Sequence, residues 1–227
     1  MSSISLSNPS TPVRPFVLRE VENPNAPSCL PPKTIRVVIV RHGECMNNTK
    51  DIMGSVCDEA HPDTANCLTE KGRKQAEAGA ELLRGRLYGD EVFFSSPNTR
   101  ARQTAEIVAR AVGYPIENIV TEKDIQEMFF GDMEDHPFAE YKESLHGESR
   151  FVGGAPHGET GNQLMERDAR LFTRLVTNPK LYGKTVVLYA HWYTAAQAIR
   201  LAGTPVERLG DRKVGNGESI TFELRPQ

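Results

Sequence analysis

Two kinds of hydrophobic pattern alternate along the chain. Ile35–Val40 is apolar at every position but Arg36, as expected of a short strand buried on both faces. Glu91–Phe94, Thr185–Tyr189 and Ser219–Leu224 predict further short strands. Between them, apolar residues recur every three to four positions. Leu68–Leu87 predicts a helix, with Thr69 as N-cap and Ala76, Ala80, Leu83 and Leu87 on one face. Asn98 caps a second, whose face is Ala101, Thr104, Ala105, Val108 and Val112 and which Gly113 stops. A helix over 162–176 buries Leu164, Leu171, Phe172 and Leu175, and Thr194–Leu201 forms another. Buried strands alternating with amphipathic helices predict an α/β fold, a three-layer sandwich with a mostly parallel central sheet.

Two stretches break the pattern. Residues 1–33 hold six prolines from Pro12 to Pro32 behind a serine-rich start, which suits neither a helix nor a central strand. They are read as an N-terminal extension laid on the surface, ahead of one domain over 34–227. The stretch lacks the basic and apolar regions of a secretory signal. Residues 131–160 are polar, contain seven glycines or prolines, and read as loop.

Composition narrows the class. Of 227 residues, 38% are hydrophobic and 25% charged, typical of a globular protein with a core of its own. The formal net charge of −3 removes the overall basicity expected of a nucleic-acid binder. No apolar run approaches a membrane span. Four cysteines are too few for a disulfide scaffold, and the cytoplasm is the expected compartment. Cys57, His61 and Cys67 do not have the spacing of a structural zinc site, and neither a metal nor a cofactor is expected.

In α/β sheets, ligands bind beyond the carboxyl ends of the strands. The first predicted strand runs into Arg41-His42-Gly43-Glu44, the second into Ser95-Ser96-Pro97 with Arg100 soon after, and the third into Ala190-His191. Two histidines and two arginines therefore converge on one rim, where helix N-termini also point. Such a group suits phosphoryl transfer. A neutral imidazole can attack phosphorus, and guanidinium forks hold phosphate oxygens while staying charged at every working pH. A carboxyl group is needed to protonate the leaving oxygen and later activate water.

These motifs resemble the signature of the histidine phosphatases, the superfamily that includes phosphoglycerate mutase. The likeness rests on Arg41-His42-Gly43-Glu44 with Asn48, and on Leu68-Thr69-Glu70-Lys71-Gly72 with Gln75-Ala76. It continues through Ser95-Ser96-Pro97, Arg100-Ala101, Gln103-Thr104-Ala105, Gln126-Glu127 and Phe130-Gly131, and spans Ile35 to about Ser219. It implies a phosphoglycerate mutase-like fold, His42 as the phosphorylated nucleophile, and Arg41, Arg100 and His191 as holders of the phosphoryl group. Glu127 is implied as proton donor and acceptor, and Asn48 as a further phosphate ligand. His157-Gly158-Glu159 sits where the family often has a Pro-Gly-Gly-Glu stretch, which makes His157 and Glu159 candidate substrate contacts. The family usually has glycine after the second histidine. Here Trp192 follows, so its indole packs under the helix or forms a wall of the pocket.

Hydrolysis is favoured over mutase chemistry. The stretch from Glu127 to His191 is short for a phosphoglycerate mutase, and the paired arginines such enzymes use for the substrate carboxylate are not recognisable in 131–160. That region carries seven acids against Lys142 and Arg150, which predicts a monophosphate ester on a neutral or cationic body. The expected partner is a small-molecule phosphate ester, with a phosphoprotein left open. A mutase, or a phosphate-binding scaffold without catalysis, are the alternatives; retention of Glu127 speaks against the scaffold, because binding alone needs no proton donor.

Overall fold

The computed structural model describes residues 14–22, 30–55, 66–84, 87 and 90–227. The first strand, β1 (Phe16–Glu20), lies at the edge of a six-stranded sheet, followed by β2 (Ile35–Arg41) and a short helix α1 (Met46–Lys50). Helix α2 (Glu70–Arg84), β3 (Glu91–Ser95), α3 (Thr99–Val112) and β4 (Val120–Thr121) come next. Then follow α4 (Phe138–Ser144), α5 (Gly161–Val176), β5 (Thr185–Ala190), α6 (Trp192–Leu201) and β6 (Ser219–Pro226).

The strand order is β1-β6-β2-β5-β3-β4. The pairs β2·β5, β5·β3 and β3·β4 are parallel, and β6 runs antiparallel to both β2 and β1. Strand periodicity divides the core between two faces. Val38 and Val40 of β2, with Val187 and Tyr189 of β5, pack with Ala80 and Leu83 of α2 and Ala105 and Val108 of α3. Their neighbours Val37, Ile39, Val186 and Leu188 join Leu164, Leu171 and Phe172 of α5 and Ala195 and Ile199 of α6 on the other face. The expected three-layer sandwich is present, with the central strands β2 and β5 buried along almost their whole length.

The proline-rich start contributes more than a surface strap. Phe16 and Leu18 are buried, and β1 pairs with β6 over its whole length. Pro15 immediately precedes the strand, a position where a missing N–H does not break the ladder. The region read as loop also holds α4, whose Tyr141 is fully buried.

Candidate active site

The register of the sheet brings the two histidines together. Arg41 of β2 is the partner of Ala190 in β5, so His42 and His191 each leave the sheet one residue beyond a paired position. His42 still donates its backbone N–H to Ala190 at 3.0 Å, and Ser96 donates to Tyr189 at 2.9 Å. Three adjacent strands thus deliver His42, His191 and Ser96 to one edge. The imidazole centroids are 5.3 Å apart.

The hydrogen bonds of His42 settle its tautomer. Nδ1 lies 2.7 Å from the Gly43 carbonyl, which can only accept, so the ring proton is on Nδ1. Nε2 then carries a lone pair, and the Nε–H of Arg100 donates to it at 3.1 Å. Burial, then the charges of Arg100 and Arg41, hold His42 well below the usual histidine range. The ring is neutral and nucleophilic at neutral pH.

Arg100 also donates to the Gly54 carbonyl at 2.9 Å and lies 3.6 Å from Glu127 Oε2. Arg41 donates to the Val214 carbonyl at 3.0 Å, and its buried Nε–H has no partner among the described residues. That donor is available to a phosphoryl oxygen. Burial outweighs the nearby guanidiniums and raises the pKa of Glu127 above the usual carboxylate value, which suits a proton donor. Glu127 Oε2 is 3.4 Å from His191 Nδ1, which is buried without a hydrogen bond of its own. Ser96 Oγ lies 3.0 Å from Asn98 Oδ1 and 2.8 Å from His191 Nε2. Burial, with Arg100 next, lowers the pKa of His191 well below the ordinary value, which favours its neutral form in the free protein.

The remaining motif residues build the frame. Gly43 donates to Thr104 Oγ1 at 3.1 Å, Glu44 to Gln75 Oε1 at 2.8 Å, and Leu68 to Gln103 Oε1 at 2.8 Å. Thr69 caps α2 by accepting from Gly72 N at 3.0 Å. A Cβ on Gly43 would lie 2.2 Å from the Gly72 carbonyl oxygen, so the loop after β2 and the first turn of α2 meet backbone to backbone. Asn98 occupies the N-cap position of α3, yet its side chain serves the site: it accepts from Ser96 Oγ and Glu127 N and donates to the Ser55 carbonyl.

A cleft of about 330 Å³ opens beside His42, lined by Arg41, Arg100, Glu127 and Asn48 among others. Asn48 Oδ1 accepts from Cys45 N and from Asn216 Nδ2, and Asn216 also donates to the His42 carbonyl at 3.1 Å. Asn216, which the sequence reading does not select, braces the backbone of His42 and shares the cleft wall. Trp192 lines the cleft with Phe130, Phe138 and Tyr193, which answers where the indole goes. Cys45 is buried, and burial pushes its thiol up, so it is a quiet wall residue. Cys57 and His61 fall outside the described residues.

His157 and Glu159 are not in this cleft. Both line a separate surface depression with Phe129 and Arg167. Glu159 is held by both nitrogens of the Arg167 fork at 2.7 Å, and His157 is exposed beside Asp132 at 3.0 Å. Their place in the sequence pattern fixes their proximity to α5 but not the direction of their side chains, and the structure does not bring them together with His42.

Among the described residues, His42, Glu127 and His191 have donor atoms within 4.8 Å of one another, close enough to share a metal ion. The Arg100 guanidinium contacts two of these three groups, and its fixed charge opposes a divalent cation there. The same charge favours a phosphoryl dianion.

The chain belongs to the histidine phosphatase superfamily (branch 1), whose family model matches residues 37–227. It is 26% identical to the phosphoglycerate mutase of Schizosaccharomyces pombe over 196 residues, 83% of this chain and 89% of that one. Over 109 residues it is 33% identical to the 2,3-bisphosphoglycerate-dependent phosphoglycerate mutase of Thermoplasma acidophilum, covering 48% of this chain and 49% of that one. The fold is similar to that of a mycobacterial glucosyl-3-phosphoglycerate phosphatase, with a TM-score of 0.67 and 24% identity over 82% of this chain and 90% of that one. An alpha-ribazole phosphatase from Shigella flexneri matches with a TM-score of 0.65 and 23% identity, over 82% and 89% of the two chains.

Proposed function

We propose that the protein is a phosphatase that hydrolyses a phosphate monoester through a phosphohistidine on His42, without a metal ion. The observation that carries this reading is the fixed tautomer of His42, whose Nε2 lone pair is turned toward Arg100 in the cleft. In the first step Nε2 attacks phosphorus, the ester P–O bond breaks, and Glu127 gives its proton to the leaving oxygen. In the second, Glu127 takes a proton from water, which attacks the phosphohistidine and releases inorganic phosphate. Arg100 moves from Nε2 to a phosphoryl oxygen, where Arg41 joins it. With the dianion bound, the cationic charge that adds to burial in lowering the pKa of His191 is offset, and a protonated His191 becomes a further donor to the phosphoryl group.

Hydrolysis is supported by the exposed residues Asn48 and Asp51 on the cleft wall, which give water a path to the intermediate. Mutase chemistry is the second reading, favoured by the names of the curated relatives. The two separate on a panel of small phosphate esters that includes the phosphoglycerates, assayed for released phosphate and for positional isomers. Dominant phosphate release supports the phosphatase; rapid isomerisation with little release makes the protein a mutase. Chelation by EDTA should leave turnover intact, and a loss restored by magnesium would overturn the metal-free step.

A further inference from the structure

His42 and His191 take their places from the sheet, but Glu127 does not. Among the described residues, the backbone leading to it last bonds the sheet where Glu122 donates to the Ser95 carbonyl at 2.8 Å. Beyond that point lie one 3₁₀ turn, Lys123–Ile125, and irregular chain. The carboxyl group itself has few ties. Oε1 accepts from the neighbouring Met128 N–H at 3.0 Å, and Oε2 lies 3.4 Å from His191 Nδ1 and 3.6 Å from Arg100. Its place in the cleft therefore depends on what fixes the main chain around it.

On one side, Asn98 Oδ1 accepts from the Glu127 N–H at 3.2 Å. On the other, Arg167 of α5 closes on the carbonyls. Its Nη1 donates to Asp124 at 2.6 Å and to Gln126 at 3.0 Å, and its Nη2 reaches the Glu127 carbonyl at 3.4 Å. Nε and Nη2 also donate to the two oxygens of Glu159, each at 2.7 Å. All five N–H groups of the guanidinium are thus engaged, in directions that its rigid plane sets relative to one another. Glu159 adds a main-chain tie to the same stretch, donating its N–H to the Phe129 carbonyl at 2.7 Å. Both side chains of the pair are 15% exposed, so water competes little for these bonds.

Two more arginines of α5 hold the same segment differently. Arg170 and Arg174 pair with the carboxylates of Asp124 and Glu122 at side-chain exposures of 59% and 51%, and exposed pairs of that kind contribute little. Among the described residues, neither bonds Gln126 or Glu127.

We propose that Arg167 is a positioning residue for the proton donor: with its fork oriented by Glu159, it fixes the main chain that aims the Glu127 carboxyl at the leaving oxygen. This rests on the reading of Glu127 as that donor, and the experiment separates the two.

The measurement is the rate at which the protein is phosphorylated in a single turnover, by 4-nitrophenyl phosphate and by the alkyl phosphate that reacts fastest in the panel of small esters. Arg167→Lys keeps the charge and loses the fork. It should slow the alkyl ester about 10- to 100-fold, as a misplacement of about 1 Å does, and the nitrophenyl ester no more than about threefold. A general loosening of the fold would slow both alike. Arg174→Gln, which frees the same segment at its exposed end, should leave the ratio of the two rates unchanged. In a Glu127→Gln background, Arg167→Lys should add no further loss on the alkyl ester, because the group it places is gone. Glu159→Gln should give the same split in weaker form, and it reads the clamp if Arg167→Lys does not fold. If Glu127→Gln splits the two esters while Arg167→Lys slows both equally or neither, or if the two losses add in the double variant, this proposal fails and the phosphatase reading stands. If Glu127→Gln gives no split, or no ester phosphorylates the wild-type protein, the proton-donor reading fails and this one with it.

Discussion

The Nε–H of Arg100 donates to Nε2 of His42 at 3.1 Å, so in the free protein the lone pair of the proposed nucleophile is occupied by the group proposed to hold the phosphoryl oxygens. On that proposal a substrate phosphate competes for the guanidinium and frees Nε2 to attack, which makes activation of His42 and binding of the dianion one event.

Arg100→Ala should therefore cost an alkyl ester and an activated aryl ester alike. The expected loss is about 2–4 kcal/mol in transition-state stabilisation, typical of one preorganised donor to developing charge. Burst-phase rates on the two substrates are the measurement. A loss confined to one of them would mean that Arg100 does not act on the phosphoryl group.

Glu127→Gln should split the same pair of substrates. A proton donor matters for an alkoxide leaving group and little for nitrophenolate, so the alkyl ester should lose about 10²–10⁴ in the phosphorylation step and the nitrophenyl ester far less. Burst-phase rates are again required, since Glu127 also serves the water step. Equal losses would pass the leaving-group proton to another side chain of the cleft. Glu159 and His157 are not candidates, because both sit elsewhere.

The shifts at His42 and Glu127 set the pH profile. His42 is held well below 6.5, so its neutral, nucleophilic form persists as pH falls and the acid limb of kcat/KM lies below that value. Glu127 is raised above 4.5, so its protonated form survives to higher pH than an ordinary glutamate's, and the alkaline limb for an alkyl ester lies above that value. Activity corrected for the ester's own ionisation should peak between these two limbs, and Glu127→Gln should remove the alkaline limb. An acid limb at or above 6.5 would contradict the assignment of His42.

How much of this was legible in the sequence depends on range. The strand ends carrying His42 and His191, and the helix start carrying Arg100, were readable because buried strands and the turns and helices that follow them are local patterns. Asn216 and the site contacts of Asn98 were not: the first reads as an ordinary loop asparagine and the second as a helix cap until the fold brings them against His42, Ser96 or Glu127. The strand β1 was hidden by the prolines on either side of it, although Phe16 and Leu18 alternate as an edge strand requires. Arg150 was counted as one of two bases against seven acids. Only the folded structure shows that none of those acids lines the cleft while Arg150 does.

Gly43→Ala tests the frame independently of chemistry. The added methyl would meet the backbone of Gly72 at 2.2 Å, and neither segment can give without disturbing the hydrogen bonds of Glu44 to Gln75 and Thr69. The expected cost is about 1–3 kcal/mol of stability, read as a lowered urea midpoint at unchanged slope. An unchanged midpoint would show that the contact between the loop and α2 is loose.

The central claim is a covalent phosphohistidine at His42, and trapping it tests the account most directly. A turnover mixture with labelled ester, quenched in alkali, should yield a phosphoprotein, while quenching in acid should yield none, because the phosphorus–nitrogen bond is acid-labile. His42→Ala should trap no label under either condition. Label retained by that variant in alkali, or an acid-stable phosphoprotein in the wild type, would place the nucleophile elsewhere.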